Sequence, residues 1–176
     1  TELETLRVAG TDYLLVAAPG SSSLAVLDRL GSGALRLVDH IGDDRATRFA
    51  GIAVLETIVI GGQAYLVAGG SDDGISLMTL LPGGRLLHLA SLADDLRMHL
   101  SNPTALTLGQ DGTVIDIFVA GGAESVSGTG LTRLRVELGA IGRTLALGPG
   151  DDRVPGAAGR DQIHGGAGND HLAGGA

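Results

Sequence analysis

Short apolar runs that alternate with polar positions fill residues 3–139 of the chain. In one of them Leu134 and Val136 alternate with Arg135 and Glu137. A period of two residues is typical of half-buried β-strands. Glycine and proline turn signals separate the runs, at 61–62, 69–70, 82–84, 111–112 and 121–122. The pattern therefore predicts antiparallel hairpins, with four strands in the best-defined stretch, at 54–60, 64–69, 74–81 and 85–91.

These runs recur along the chain. LETLRVAG at 3–10 returns as LETIVIGG at 55–62, and residues 21–44 align without a gap on residues 72–95. A third copy is marked by IFVAGG at 117–122 and is looser afterwards. The three repeats are placed at about 1–44, 51–95 and 102–146.

Four antiparallel strands repeated about every 50 residues are typical of a β-propeller blade. Three blades do not close a ring, because closed propellers carry about four to eight. Either further blades precede Thr1, or chains associate, or three repeats form a β-trefoil or β-prism instead. The aromatic content of 2% counts against the trefoil. The start at Thr1 suggests an internal or C-terminal piece of a larger protein.

The stretch YLVAGGSDDGISLMTLLPGGRLLHLASLADD resembles the blades of lactonase-like and YVTN-type propellers of large secreted proteins. The resemblance spans roughly residues 3–139 and implies an all-β, propeller-like fold.

The last 30 residues change character and can be written in nines, at 147–155, 156–164 and 165–173. They follow the template G-G-x-G-x-D-x-U-x, in which U is a large aliphatic residue. Position four carries Gly150, Gly159 and Gly168; position six carries Asp152, Asp161 and Asp170; position eight carries Val154, Ile163 and Leu172.

This segment resembles the hemolysin-type, repeats-in-toxin (RTX) calcium-binding family. The resemblance implies a parallel β-roll in which successive nines alternate sides, so that the first and third stack. Carboxylates and backbone carbonyls are the oxygens that Ca²⁺ prefers, and glycine permits the tight turns. The expected metal-site residues are Asp152, Asp161, Asp170, Gly148, Gly150, Gly159, Gly166, Gly168 and Asn169. Asp152 and Asp170 are expected to share one ion, and Asp161 to need a partner beyond Ala176.

Composition removes several other classes of function. The net charge of −8 argues against a nucleic-acid partner, and zero cysteines exclude disulfides and thiolate sites. No apolar run approaches the roughly 18 residues of a transmembrane segment. The acidic pairs Asp43-Asp44 and Asp94-Asp95, with Asp72-Asp73, could line a channel, but such residues more often end strands and form turns.

The residues show no constellation for catalysis. His40, His88 and His99 lack metal-ligand spacing, and no nucleophile elbow or phosphate loop occurs. We therefore expect a calcium-binding extracellular structural or adhesive module of a type I-secreted protein, with a propeller-like region at 1–146 and calcium repeats at 147–176. The alternative is a metal-dependent, lactonase-like hydrolase that carries the β-roll as its secretion module. Self-association or a cell-surface partner is a further expectation.

Overall fold

The computed structural model describes residues 1–95, 98–122, 130–141, 144–146, 149–151, 153–154 and 162–173. The fold is all-β, as the sequence predicts, and antiparallel four-stranded sheets dominate it. The first sheet has the order β1-β2-β3-β4. Its strands are Glu2–Val8 (β1), Thr11–Ala18 (β2), Ser23–Arg29 (β3) and Leu35–Gly42 (β4).

The second sheet repeats the first, in the order β5-β6-β7-β8. Its strands are Val54–Ile60 (β5), Gln63–Gly70 (β6), Gly74–Leu80 (β7) and Leu86–Ala93 (β8). These bounds agree with the predicted strands to within two residues. The hairpin of β1 and β2 aligns without a gap on that of β5 and β6, and the pair β3 and β4 aligns in the same way on β7 and β8. Even the shift in pairing register recurs, at Val26/Leu27 and again at Leu77/Met78.

The main core lies between the first two sheets. Alternate residues of β2, namely Tyr13, Leu15 and Ala17, are buried and face β6, which contributes Ala64, Leu66 and Ala68. Phe49 and Ile52, in the segment that joins the sheets, complete this core with no exposed surface. The repeat therefore stacks sheet on sheet through the apolar positions that define it.

The two sheets differ in how many faces are covered. Every residue of β7, and every residue of β6 except Gln63, is buried, so the second sheet is covered on both sides. In β2 buried residues alternate with half-buried or exposed ones, so the first sheet is covered on one side only. A strand with both faces covered is expected to be a nearly continuous apolar run, as LVAGG and ISLMTLL are.

The third repeat forms a three-stranded sheet within the described residues, in the order β11-β10-β9. Its strands are Pro103–Asp111 (β9), Val114–Gly121 (β10) and Leu131–Glu137 (β11). A four-residue helix, Leu138–Ile141 (α1), follows β11, and the next strand, Thr144–Ala146 (β12), pairs elsewhere. The boundary at 147 stays a prediction, and the pairing of β12 favours placing it a few residues earlier.

The C-terminal strands are short. They are Arg153–Val154 (β13), Gln162–His164 (β14) and His171–Leu172 (β15).

The chain divides into two compact units: one contains residues 1–109 and 116–134, the other 110–115 and 135–176. In the ranges that the structure describes, no helix has the length and apolar character needed to cross a bilayer.

Candidate metal site

Each C-terminal strand pairs in parallel with the strand two nines away along the chain. Val154 of β13 lies opposite Leu172 of β15, and Leu145 of β12 lies opposite Ile163 of β14. Two successive nines therefore lie in different two-stranded sheets, and every second one stacks on the same side. The structure confirms the prediction that the first and third nines stack.

Strand β12 adds one element that the sequence pattern missed. Extending the nines backwards from 147 gives LGAIGRTLA at 138–146, which places Leu145 at the aliphatic eighth position. Ile141 and Arg143 stand where the template has glycine and aspartate, so a search for those two residues passes over this segment. The signal that could have found it is the aliphatic at position eight, two nines before Ile163.

Backbone contacts join the glycine turns of the first and third nines. The Gly150 N–H donates to the Ala167 carbonyl oxygen at 2.6 Å, and the Asn169 N–H donates to Asp151 Oδ1 at 2.7 Å. Gly150 and Gly168 have φ of +131° and +141°, which side-chain-bearing residues rarely adopt. The template glycines therefore provide the backbone shape that brings the two turns together.

Two of these glycines also lie in close contact with their neighbours. A Cβ at Gly168 would clash with the Gly150 carbonyl group, and a Cβ at Gly165 would clash with the Asp170 carboxylate. Because both obstacles are oxygen-bearing groups of the turns, the absence of a side chain is what lets the oxygens approach. The requirement for glycine at these positions is steric as well as conformational.

The predicted site residues fall into two groups. Gly150, Gly166, Gly168, Asn169 and Asp170 lie in the turns just described. Gly148, Asp152, Gly159 and Asp161 lie outside the described residues, and so the ion shared by Asp152 and Asp170 stays a prediction. The part of the chain that the structure describes holds no group of three His, Cys, Asp or Glu residues suited to a metal, but two of the three template aspartates are not in it.

The donor chemistry of the described turns fits a hard cation. The side-chain donors are the carboxylates of Asp151 and Asp170, and the close backbone group is the Gly150 carbonyl. Oxygen donors of this kind suit Ca²⁺, which takes six to eight of them in flexible geometry. Asp170, with main-chain carbonyls of the two glycine turns, would hold the ion and offset part of its charge.

The acidic pairs outside the tail have a different role, because they bind the segments that join the sheets. Asp43 Oδ1 accepts hydrogen bonds from Thr47 Oγ1 at 2.8 Å and from the Phe49 N–H at 3.0 Å. One repeat later, Asp94 Oδ1 accepts from the Leu100 N–H at 2.9 Å. We call Asp43 and Asp94 the linker clasps, since each holds the segment that leads to the next sheet.

Asp72 and Asp73 hold the same segments from the β6–β7 turn. Asp72 Oδ1 accepts from the Ala50 N–H at 3.1 Å, and Asp73 Oδ1 accepts from Ser101 Oγ and the Asn102 N–H at 3.0 Å each. Burial, and next the charge of Asp43, raises the pKa of Asp72 above its ordinary value. These contacts favour the interpretation of the acidic pairs as turn-forming residues over a role in lining a channel.

The sequence could not assign these clasps to their partners. Asp43 and Phe49 are six residues apart, as are Asp94 and Leu100, and this repeated spacing is the only sequence signal for the contact. Two of the histidines make hydrogen bonds: His88 Nε2 lies 2.8 Å from the nearby Ser91 Oγ, and the His99 N–H donates to Thr132 Oγ1, 33 residues further along the chain.

Three glutamates lie near one another on the neighbouring strands β1 and β5. Burial raises the pKa of Glu56, and the charges of Glu4 and Glu2 raise it further. Thr57 Oγ1 donates to Glu4 Oε2 at 3.2 Å. Carboxylates alone do not define a catalytic centre, so the hydrolase alternative stays a prediction.

Comparison with protein families identifies the tail alone. Residues 148–176 match the model of the RTX calcium-binding nonapeptide repeat (4 copies). A search of curated proteins finds no match to the chain. The matched segment includes both glycine turns and strands β13 to β15. The tail therefore carries hemolysin-type calcium-binding repeats, and its cofactor is Ca²⁺.

Proposed function

We propose that the chain is a calcium-binding structural or adhesive module of a type I-secreted protein, and that it acts outside the cell. The observation that carries the proposal is the parallel pairing of β13 with β15, together with the hydrogen bond between Gly150 and Ala167. This arrangement stacks the glycine turn of the first nine on that of the third. Repeats of this family are typical of secreted proteins, and millimolar external Ca²⁺ would be available there.

In this proposal Ca²⁺ drives the folding of the β-roll. The strands of the roll are only two or three residues long, and Leu172 is 40% exposed, so little apolar area is buried to hold them. Clustered carboxylates repel one another without a cation. When a site is assembled only in the folded state, the free energy of metal binding becomes free energy of folding.

The preceding sheets are proposed to be blades of a β-propeller. Two features support this: each of the first two repeats is a four-stranded antiparallel meander, and the first strands of successive sheets, β1 and β5, lie side by side. The hydrogen bond from Thr57 to Glu4 joins these two strands. Such a region would be the adhesive or structural body that the roll accompanies.

Calorimetric titration of the 176-residue chain with Ca²⁺ tests the calcium role. We expect a site of millimolar affinity or tighter, and we expect Asp170→Asn to weaken it at least about tenfold, because one charged donor is lost. Asp12→Asn is the matched control, since Asp12 is an exposed aspartate of the first sheet, bound only to Arg7 in the contacts of the described residues. The proposal is wrong if no site of this affinity is found, or if Asp170→Asn leaves it unchanged.

A further inference from the structure

The first sheet exposes the face that its repeat partner buries. In the second sheet Leu55, Leu66, Ala68, Met78 and Leu86 pack against the first sheet. The registers of the two sheets place Leu3, Leu14, Val16, Leu27 and Leu35 at the same positions of the first sheet. All five are aliphatic, so five of the seven second-sheet residues in this core have aliphatic counterparts on the first sheet. We call these five residues the open face.

The exposed fractions of equivalent leucines show how the two sheets differ. Leu55 is 3% exposed and its counterpart Leu3 is 59% exposed; Leu86 is 5% exposed and its counterpart Leu35 is 50% exposed. Scattered single leucines at a surface are ordinary, but contiguous apolar residues on one sheet mark an interaction surface. The exposed leucines here occupy interface positions rather than random ones.

The outer turn of each sheet shows the same relation. Gly84, in the β7–β8 turn, packs so closely on Tyr13 and Val38 that a Cβ there would clash with both side chains. Its counterpart Gly33, in the β3–β4 turn, has φ of +85° against +87° for Gly84, and no described atom lies within 4 Å of a Cβ built on it. The turn glycine of the first sheet thus has the same backbone conformation as Gly84, without a described neighbour packed on it.

Three charged residues interrupt the open face. Arg7, Asp12 and Arg29 stand where the second sheet has Val59, Ala64 and Leu80, and of these Ala64 and Leu80 are fully buried. All three charged residues line a depression of about 500 Å³ with Leu35, and Arg7 Nη1 pairs with Asp12 Oδ1 at 3.2 Å. A sheet packed on this face must pair these charges or leave them at its edge, because an unpaired buried charge is costly.

In the described residues, the face of the third sheet that carries Asp116 and Phe118 does not match the surface that the first sheet presents to the second. Ile117 and Val119 of β10 are buried, and the alternate residues Asp116 and Phe118 face the other way. Arg133 forms a two-pronged ion pair with Asp116, at 3.1 and 3.0 Å, and its guanidinium lies 5.7 Å from the centre of the Phe118 ring. This face of the third sheet therefore carries a charged pair. The face of the first sheet that packs on the second sheet is mainly aliphatic.

We propose that the open face of the first sheet receives a further four-stranded sheet of the same repeat, packed as the first sheet packs on the second. The added sheet would contribute aliphatic residues at the positions of Leu15, Leu24 and Val26, which are fully buried in the existing interface. This inference rests on the blade proposal and deepens it by naming the surface on which a further blade packs.

The test is a chain extended by its own repeat. A copy of residues 1–53 is fused ahead of Glu2, so that the copied linker meets Glu2 as the native linker meets Val54. Burial of one leucine is worth more than about a factor of ten in an equilibrium constant. We therefore expect amide hydrogen exchange in the original β2 to slow by at least about tenfold relative to the unextended chain.

Charged substitutions on the open face provide the control. Leu3→Glu with Leu35→Glu, placed in the original first sheet of the extended chain, should abolish the added protection, whereas Leu131→Glu should keep it. Leu131 is a matched control because it is 71% exposed on the third sheet. In the unextended chain all three substitutions should leave the urea midpoint unchanged, which separates a lost interface from a failure to fold.

Two outcomes would overturn the inference. One is an extended chain in which exchange of the β2 amides is as fast as in the unextended chain. The other is an unextended chain that sediments as a discrete dimer and dissociates on Leu3→Glu with Leu35→Glu, because a second copy would then occupy the face. Both measurements are made with Ca²⁺ and with a chelator, so that failure of the calcium role is recognised separately.

Discussion

At the residue scale, the carboxylate of Asp43 holds two groups of the linker between the first two sheets. It accepts two hydrogen bonds, and it holds Phe49, which has no exposed surface, in the core. Both hydrogen bonds are partly buried, and removal of the carboxylate would leave the Thr47 hydroxyl and the Phe49 N–H without this acceptor, at a cost of about 1–3 kcal/mol.

Asp43→Ala is therefore expected to lower the free energy of unfolding by about 1–3 kcal/mol, measured by urea denaturation. Asp94→Ala should cost less, because the described contacts of Asp94 include one such bond, to Leu100. Asp12→Ala, which removes an exposed ion pair, should change stability by less than about 1 kcal/mol. An Asp43→Ala variant as stable as Asp12→Ala would contradict the assignment of Asp43 as a clasp.

The pKa of Glu56 gives a second prediction at this scale. Burial and the neighbouring glutamates raise this pKa above its ordinary value of 4.5 in the folded chain. The folded state therefore binds the proton of Glu56 more tightly than the unfolded state does. The stability that this protonation contributes is present below pH 4.5 and is lost as the pH rises through the folded pKa of Glu56. We expect Glu56→Gln to raise the thermal midpoint at neutral pH.

The same substitution should also flatten the pH dependence of stability above pH 4.5, as followed by thermal melts at a series of pH values. Glu137→Gln is the control, since Glu137 is an exposed residue of β11. Equal effects of the two substitutions would contradict the prediction.

The sequence indicated which residues form turns but not what they bind. The pairs Asp43-Asp44 and Asp94-Asp95 could be recognised as strand-ending residues from their chemistry. Their carboxylate oxygens accept hydrogen bonds from backbone N–H groups of a linker. The path of that linker depends on how two sheets stack. Such a contact depends on tertiary packing, which a local pattern does not contain.

At the scale of single elements, β6 ends at Gly70, where the linker between the first two sheets passes directly against the strand. A Cβ at Gly70 would clash with the Ala50 carbonyl and the Phe49 backbone. The Ser71 N–H donates to the same Ala50 carbonyl at 2.7 Å, so this segment of the linker cannot move away freely.

Gly70→Ala is expected to destabilise the fold by about 1–3 kcal/mol, the usual cost of overpacking a tight site, as measured by urea unfolding. Gly20→Ala is the matched control, because no described atom lies within 4 Å of a Cβ built there and its φ is not positive. A Gly70→Ala midpoint as high as that of Gly20→Ala would show that the linker yields, contrary to this prediction.

Strands were predictable where period and turn chemistry agreed. The second repeat has clear turns, such as Pro82-Gly83-Gly84, and its four strands were placed to within two residues. In the third repeat the pattern after β11 continues as apolar residues without a strong turn, and the chain forms α1 and then β12. Which sheet so short a strand joins is decided by its partner, β14, which lies two nines further along the chain, and not by its own composition.

At the scale of the whole molecule, calcium and the sheet core act on different parts of the chain. The core of the first two sheets is built from buried aliphatic and aromatic residues of the sheets and their linker. The strands of the roll are two or three residues long, and both residues of β15 are exposed.

Chelation of Ca²⁺ is therefore expected to remove hydrogen-exchange protection from residues 162–173 while β2 and β6 keep theirs. With Ca²⁺ at about 100 times the dissociation constant, the free energy of unfolding of the roll should rise by about 2.7 kcal/mol. Exchange mass spectrometry with and without chelator measures both effects. Loss of protection in β6 on chelation would mean that the sheets depend on the ion, contrary to the prediction.

The pairing interval of two nines in the roll has a consequence for how such tails change in length. Each strand rests on the strand two nines before it, so the roll is two interleaved stacks that grow in turn. Deleting a single nine from the interior would transfer everything downstream to the opposite stack, and each turn would meet a turn it did not face before. Deleting two consecutive nines would shorten both stacks by one layer and leave every later residue on its original side. Insertions and deletions in this tail are thus expected to be tolerated more readily in pairs of nines than singly, a parity rule set by the backbone.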